Sequence, residues 1–172
     1  MNRNEILDNL LDELEGVLNE AMQPKGEQTV PMLQELFKCV FKMQYNFHMI
    51  HWKCMGKEFN DLHNTMNEYY EKINDFVDEV AELILLYGGV VPSFDEVANA
   101  PVYMVDNTKD YNKEQGFAEC KKCMSILYNN LAKVREEGEL TDAQESLFDD
   151  MLGYLEKELY YKMDRRCGSV GE

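Results

Sequence analysis

No stretch of this sequence stays apolar for the roughly eighteen residues that a membrane span requires. The N-terminus, MNRNEILDNLLDELEG, lacks the basic start and uniform apolar run of a signal peptide, so a cytoplasmic location is expected. Basic side chains are few: 17 Lys and Arg stand against 33 Asp and Glu, a formal net charge of −16. That imbalance repels nucleic acid and anionic membranes and attracts cations, so neither DNA nor a membrane is an expected partner. Most of the acids read simply as a solvated surface. The five cysteines are odd in number and irregularly placed, which suits reduced thiols better than a disulfide framework. Histidine is scarce, with only His48, His51 and His63, and the single Trp52 adjoins the second of them.

What the chain does contain is helical periodicity, with no competing strand pattern. Residues 4–22 set Ile6, Leu10, Leu14, Val17 and Leu18 against acids on the opposite face, predicting an acidic amphipathic helix. Thr29 and Pro31 open a second helix that runs to a stop at Gly56. A long helix from near Glu58 or Asn60 to Gly88-Gly89 follows, about 45 Å in length. A connection of about twenty residues comes next, unusually long for a compact domain. Within it, Ser93 and Glu96 form the capping box of a short helix. Two further helices span about 112–137 and 141–163, the second opened by the Thr141–Gln144 capping box. The expected organisation is an N-terminal helix and linker over 1–28 and an all-α four-helix bundle over 29–172. Two helical hairpins joined by one long crossover carrying a short helix make the ferritin-like arrangement.

Asp78 and Glu82 lie four residues apart on the longest helix and share a face. Alone, such a pair reads as exposed surface, and each histidine alone reads as structural. Spacing changes the reading. His51 closes one helix and His63 opens the next, so the turn at Gly56 folds both imidazoles to one edge. His63 and Asp78 are fifteen residues apart on one helix, hence about 22 Å apart. Ligands of one metal ion must approach within about 4 Å of one another. One chain cannot bring all four residues together, but two can, if their long helices cross antiparallel on a two-fold axis.

These residues resemble the Dps family, the mini-ferritins of bacteria. The motif reads His51-Trp52, Gly56, Phe59, Leu62-His63, Asp78-Glu79-Val80-Ala81-Glu82, Gly88-Gly89 and Pro92, and covers residues 45–95. The resemblance implies a dodecameric homo-oligomer built from two-fold dimers. It implies a ferroxidase centre with His51 and His63 from one chain and Asp78 and Glu82 from its mate. Fe2+ would be oxidised there to Fe3+ by hydrogen peroxide, oxygen serving less efficiently, and stored as ferric mineral inside the shell. It also places Trp52 beside the centre as an acceptor of stray oxidising equivalents; the bland alternative is a core aromatic at a helix end.

The chain departs from the family pattern at several points. Asn67 replaces a residue that is often acidic, which weakens a second iron position; Leu83 replaces a usual Arg, removing a charge partner. The acidic N-terminal helix stands where some members carry a Lys-rich, DNA-binding tail. No Glu lies three residues before any histidine, which excludes the intra-bundle Glu-x-x-His centre of conventional ferritins. His48 is expected to pack as a helix residue near the interface. Cys120-Lys-Lys-Cys123 lacks the second pair of a zinc site and reads as structural, one Cys towards the core and one at the edge. Asp142, Glu145, Asp149 and Asp150 are candidate cavity acids. Two rival readings remain: a Dps-like structural or interaction shell with weak or no ferroxidase activity, and a monomeric bundle that binds a partner helix through Met- and Tyr-rich faces.

Overall fold

The computed structural model describes residue 9, residues 11–14, residue 26 and residues 28–167. Helix α1 spans Thr29–Lys53, α2 Phe59–Leu86, α3 Phe94–Asn99, α4 Lys113–Glu137 and α5 Asp142–Glu156. A π-helical stretch, Lys157–Met163, continues α5 into a last turn, α6, at Asp164–Cys167. Among the described residues there is no β-strand, only an isolated bridge between Cys54 and Tyr111. Most of the expected N-terminal helix lies outside the described residues; positions 9 and 11–14 are helical.

The stops and starts follow local chemistry. Gly56, at φ +104°, makes the turn between α1 and α2, a left-handed conformation that favours residues without Cβ. Ser93 caps α3 with Glu96, and Thr141 caps α5 with Gln144, each as a reciprocal capping box. Asn112 and Gln115 form a third at the start of α4.

The core is one layer of apolar side chains between α1, α2, α4 and α5, centred on Val40, Met43, Phe47, Met66, Ile73 and Leu127. The crossover between α2 and α4 is held by buried polar groups on α1. Lys42 donates to the carbonyls of Ala98 and Ala100, 2.9 and 2.6 Å away, placing a cation at the C-terminus of α3. Asn46 donates to the Tyr103 carbonyl and accepts from the Val105 amide, both at 3.0 Å. Further on, the Tyr111 amide donates to the Lys53 carbonyl and the Met55 amide to the Tyr111 carbonyl, at 2.8 and 2.9 Å. The end of the crossover is thus sewn to the turn between α1 and α2.

The π-helical stretch has a cause in the sequence. Met151, Leu155, Leu159 and Met163 are all buried and recur at steady intervals of four. In an α-helix each such step overshoots one turn by about 40° and would carry the stripe off the core. A wider turn corrects the drift, and it also brings Glu158 inside, 3% exposed. The expectation for Cys120 and Cys123 is corrected here. Both are fully buried, because three residues on a helix keep to one face and that face is the core.

Candidate metal centre

His51 sits in the last turn of α1 and His63 in the second turn of α2, and the Gly56 turn brings their rings together. The imidazoles stack with centroids 3.6 Å apart and planes 25° apart. Nδ1 of His51 lies 2.9 Å from the carbonyl oxygen of His63, and Nδ1 of His63 lies 3.2 Å from the carbonyl oxygen of His51. A carbonyl can only accept, so each Nδ1 is the donor and Nε2 is the nitrogen left to offer a lone pair to a metal. A backbone partner that fixes the tautomer in this way is the usual arrangement behind a metal-binding histidine.

Other side chains pack around the pair. The Cys54 thiol donates to the His51 carbonyl at 3.0 Å and lies 3.5 Å from Nδ1 of His63. Burial pushes its pKa up, so in the metal-free protein it rests as a thiol. Phe59 stacks on His63 at 4.7 Å, and Tyr70 meets His51 edge-on at 5.4 Å. His48 stacks on the other face of this aromatic group, 3.7 Å from Tyr70. Its Nδ1 is buried without a hydrogen-bond partner. Burial, and next the neighbouring His51, lower the His48 pKa and hold it neutral. Trp52 packs near His48 at 5.2 Å yet is 60% exposed, which overturns its reading as a core aromatic.

The acids stand elsewhere. Asp78 and Glu82 are exposed on α2, far along the helix from His63, and neither has an ion-pair partner among the described residues. Among the described residues, no three His, Cys, Asp or Glu side chains come together as a metal-holding group. The chain presents a histidine pair at one end of α2 and an acid pair towards the other. Leu83 is buried in the core, so Glu82 has no cation beside it there. Asn67 is engaged within its own helix: it accepts from Tyr70 at 2.6 Å and donates to Glu71 at 2.9 Å. Of the candidate cavity acids, Glu145 and Asp149 are tied to Arg135 at 3.2 and 2.8 Å.

Cys54 and Tyr70 were not singled out from sequence, whereas Phe59 stood in the quoted motif without a role. Spacing held a signal for Tyr70, which follows His63 by seven residues on the same helix; Cys54 lies just past the end of α1, in extended backbone.

The family model described as "Ferritin-like domain" matches residues 31–160. The chain is 33% identical over 112 residues to the DNA protection during starvation protein of Listeria monocytogenes, covering 61% of this chain and 67% of that protein. It is 27% identical over 135 residues to the protein of that name from Halobacterium salinarum, covering 78% and 71%. Among solved structures, antigen TpF1 from Treponema pallidum superposes with a TM-score of 0.73 at 21% identity, over 85% of this chain and 97% of that one. Dps from Listeria innocua soaked with cobalt gives 0.73 at 22% identity, over 86% and 96%. The extent of the domain match and the identity to named relatives place this chain in the Dps family of ferritin-like proteins.

Proposed function

We propose that the protein binds Fe2+ at centres shared between two subunits, oxidises it with hydrogen peroxide, and stores the ferric product in a closed shell. His51 and His63 of one subunit supply imidazole Nε2 donors, and the partner subunit's Asp78 and Glu82 supply carboxylates. The observation that carries this reading is the reciprocal pairing of His51 and His63, which engages both Nδ1 atoms and leaves the two Nε2 atoms as donors. Imidazole and carboxylate together suit Fe2+, and a centre with so few protein ligands leaves positions for peroxide. Consumption of Fe2+ and peroxide together protects the cell from hydroxyl radical.

The shell is proposed to be a dodecamer of two-fold dimers in the cytoplasm. No helix among the described residues is long and apolar enough to cross a membrane. The net charge of −16 supports iron collection and opposes DNA binding. One observation favours the rival reading of a shell with weak ferroxidase activity. Asn67, where a second iron would look for an acid, is neutral and already bonded to Tyr70 and Glu71. The deciding experiment adds Fe2+ anaerobically to the assembled protein, then peroxide, while native mass and ferric absorbance are followed. A rapid ferric signal in a closed oligomer is expected. A closed oligomer that binds Fe2+ without oxidising it favours the structural shell, and a monomer removes both.

A further inference from the structure

Deep in the bundle, outside the proposed centre, the Tyr69 hydroxyl donates to Oε2 of Glu158 at 2.9 Å. Tyr69 is 2% exposed and Glu158 3% exposed. The other carboxylate oxygen, Oε1, accepts from Lys162 Nζ at 2.5 Å, and the Lys162 side chain is 40% exposed. The three groups therefore form a line from a buried phenol through a buried carboxylate to a solvent-facing ammonium. A buried ion pair adds little to stability compared with apolar residues of similar size, so packing does not account for Glu158. Its place inside the core depends on the π-helical stretch, a feature that often accompanies function.

The pair is close to the histidines. Tyr69 follows His63 by six residues on α2, about 9 Å along the axis. Its ring is 5.9 Å from that of Phe47, which precedes His51 by one turn of α1.

We propose that Tyr69 is the electron donor that completes peroxide reduction when only one Fe2+ occupies the centre, with Glu158 taking its phenolic proton. This rests on the iron-oxidising reading above. Reduction of H2O2 to two waters takes two electrons and two protons, while a single Fe2+ gives one electron. Asn67, where a second iron would look for an acid, is neutral and already bonded to Tyr70 and Glu71, so the proposed step takes one Fe2+ per centre. Tyr69 supplies the second electron: its O–H bond breaks, the proton moves 2.9 Å to Glu158, and a neutral tyrosyl radical remains. With the Glu158 carboxylate converted to its acid, Fe2+, H2O2, the phenol and two protons from solvent yield Fe3+, two waters and the radical. A phenol oxidised in apolar surroundings cannot keep its proton, because an unpaired buried cation is costly. Glu158 lies within the reach required of a general base. Burial, and then the neighbouring charges of Cys120 and Glu158, push the Tyr69 pKa far up, so the resting side chain is the phenol.

The test uses the assembled full-length protein loaded with less than one Fe2+ per histidine pair, mixed with peroxide and frozen within milliseconds for electron paramagnetic resonance. A tyrosyl signal is expected that narrows when the protein carries ring-deuterated tyrosine. It is lost in Tyr69→Phe, and in Glu158→Gln, which keeps the phenol but not the base. The same signal in Tyr69→Phe overturns the proposal, as does ferric product without any tyrosyl signal in the parent protein; iron oxidation then stands by itself. If no ferric product forms, the iron reading fails, and flash photo-oxidation of the iron-free protein with a ruthenium photosensitiser still decides about the pair. A tyrosyl radical that is long-lived in the parent and short-lived in Glu158→Gln supports it; equal lifetimes overturn it.

Discussion

Nδ1 of His51 and the carbonyl oxygen of His63 are 2.9 Å apart, and the converse pair closes at 3.2 Å, so each histidine fixes the other's tautomer. The acceptors are backbone carbonyls, which a His→Ala change keeps; such a change removes the ring's own Nε2 donor and the stack on its mate. His51→Ala and His63→Ala are each expected to slow iron oxidation by about a hundredfold or more, since loss of an outer-shell partner alone costs 10–100-fold. Native mass is expected to stay unchanged. Unaltered rates in stopped-flow absorbance would remove these residues from the mechanism.

Shared centres predict complementation. A His51→Ala/His63→Ala chain and an Asp78→Asn/Glu82→Gln chain are each inactive alone. A mixed two-fold dimer regains one centre of its two, so random co-assembly at equal amounts restores about a quarter of the centres. Verified mixed shells that stay inactive would argue that each subunit works alone.

His48 gives the iron-free protein a pH-dependent stability. Its folded pKa lies below the ordinary value of 6.5 because the ring is half-buried and adjoins His51. The unfolded chain therefore takes up the proton first. Its contribution is fully present above the ordinary value and is lost as pH falls through the folded pKa. His48→Phe keeps the stack on Tyr70, removes the unpartnered Nδ1 and is expected to flatten this dependence. Thermal midpoints measured from neutral to mildly acidic pH would show it, and a slope equal to that of the parent would count against the assignment.

Lys42 is a second buried polar anchor, 8% exposed, with its ammonium on two carbonyls of the crossover. Lys42→Met keeps the aliphatic stem but strands both carbonyls. A loss of about 2–3 kcal/mol is expected by denaturant titration, in line with hydrogen bonds to charged groups. Faster amide exchange over residues 98–105 should accompany it. A variant as stable as the parent would mean that the carbonyls find water instead.

The helices were legible because their punctuation is local. Ser93 with Glu96, Thr141 with Gln144, and the glycine at position 56 each act within a few residues, and the structure has them where the pattern places them. The meeting of His51 and His63 was legible for the same reason, since one turn separates two helix ends. Hidden from the sequence were contacts made at long range. Lys42 and Asn46 look like interior breaches of an apolar stripe until the crossover that they hold is in view. The steady four-residue step from Met151 to Met163 did carry the π-helical stretch, but a helical reading absorbs it without notice. The reciprocal Nδ1 bonds depend on carbonyl directions that residue types do not specify.

The distance along α2 between His63 and Asp78 has a bearing on the life of the newly made chain. A lone copy fresh from the ribosome holds only half of the proposed equipment, so it would neither collect iron nor generate oxidants beside itself. Reactivity would switch on by encounter, fall off on dilution, and begin only where a closing container stands ready to receive the product.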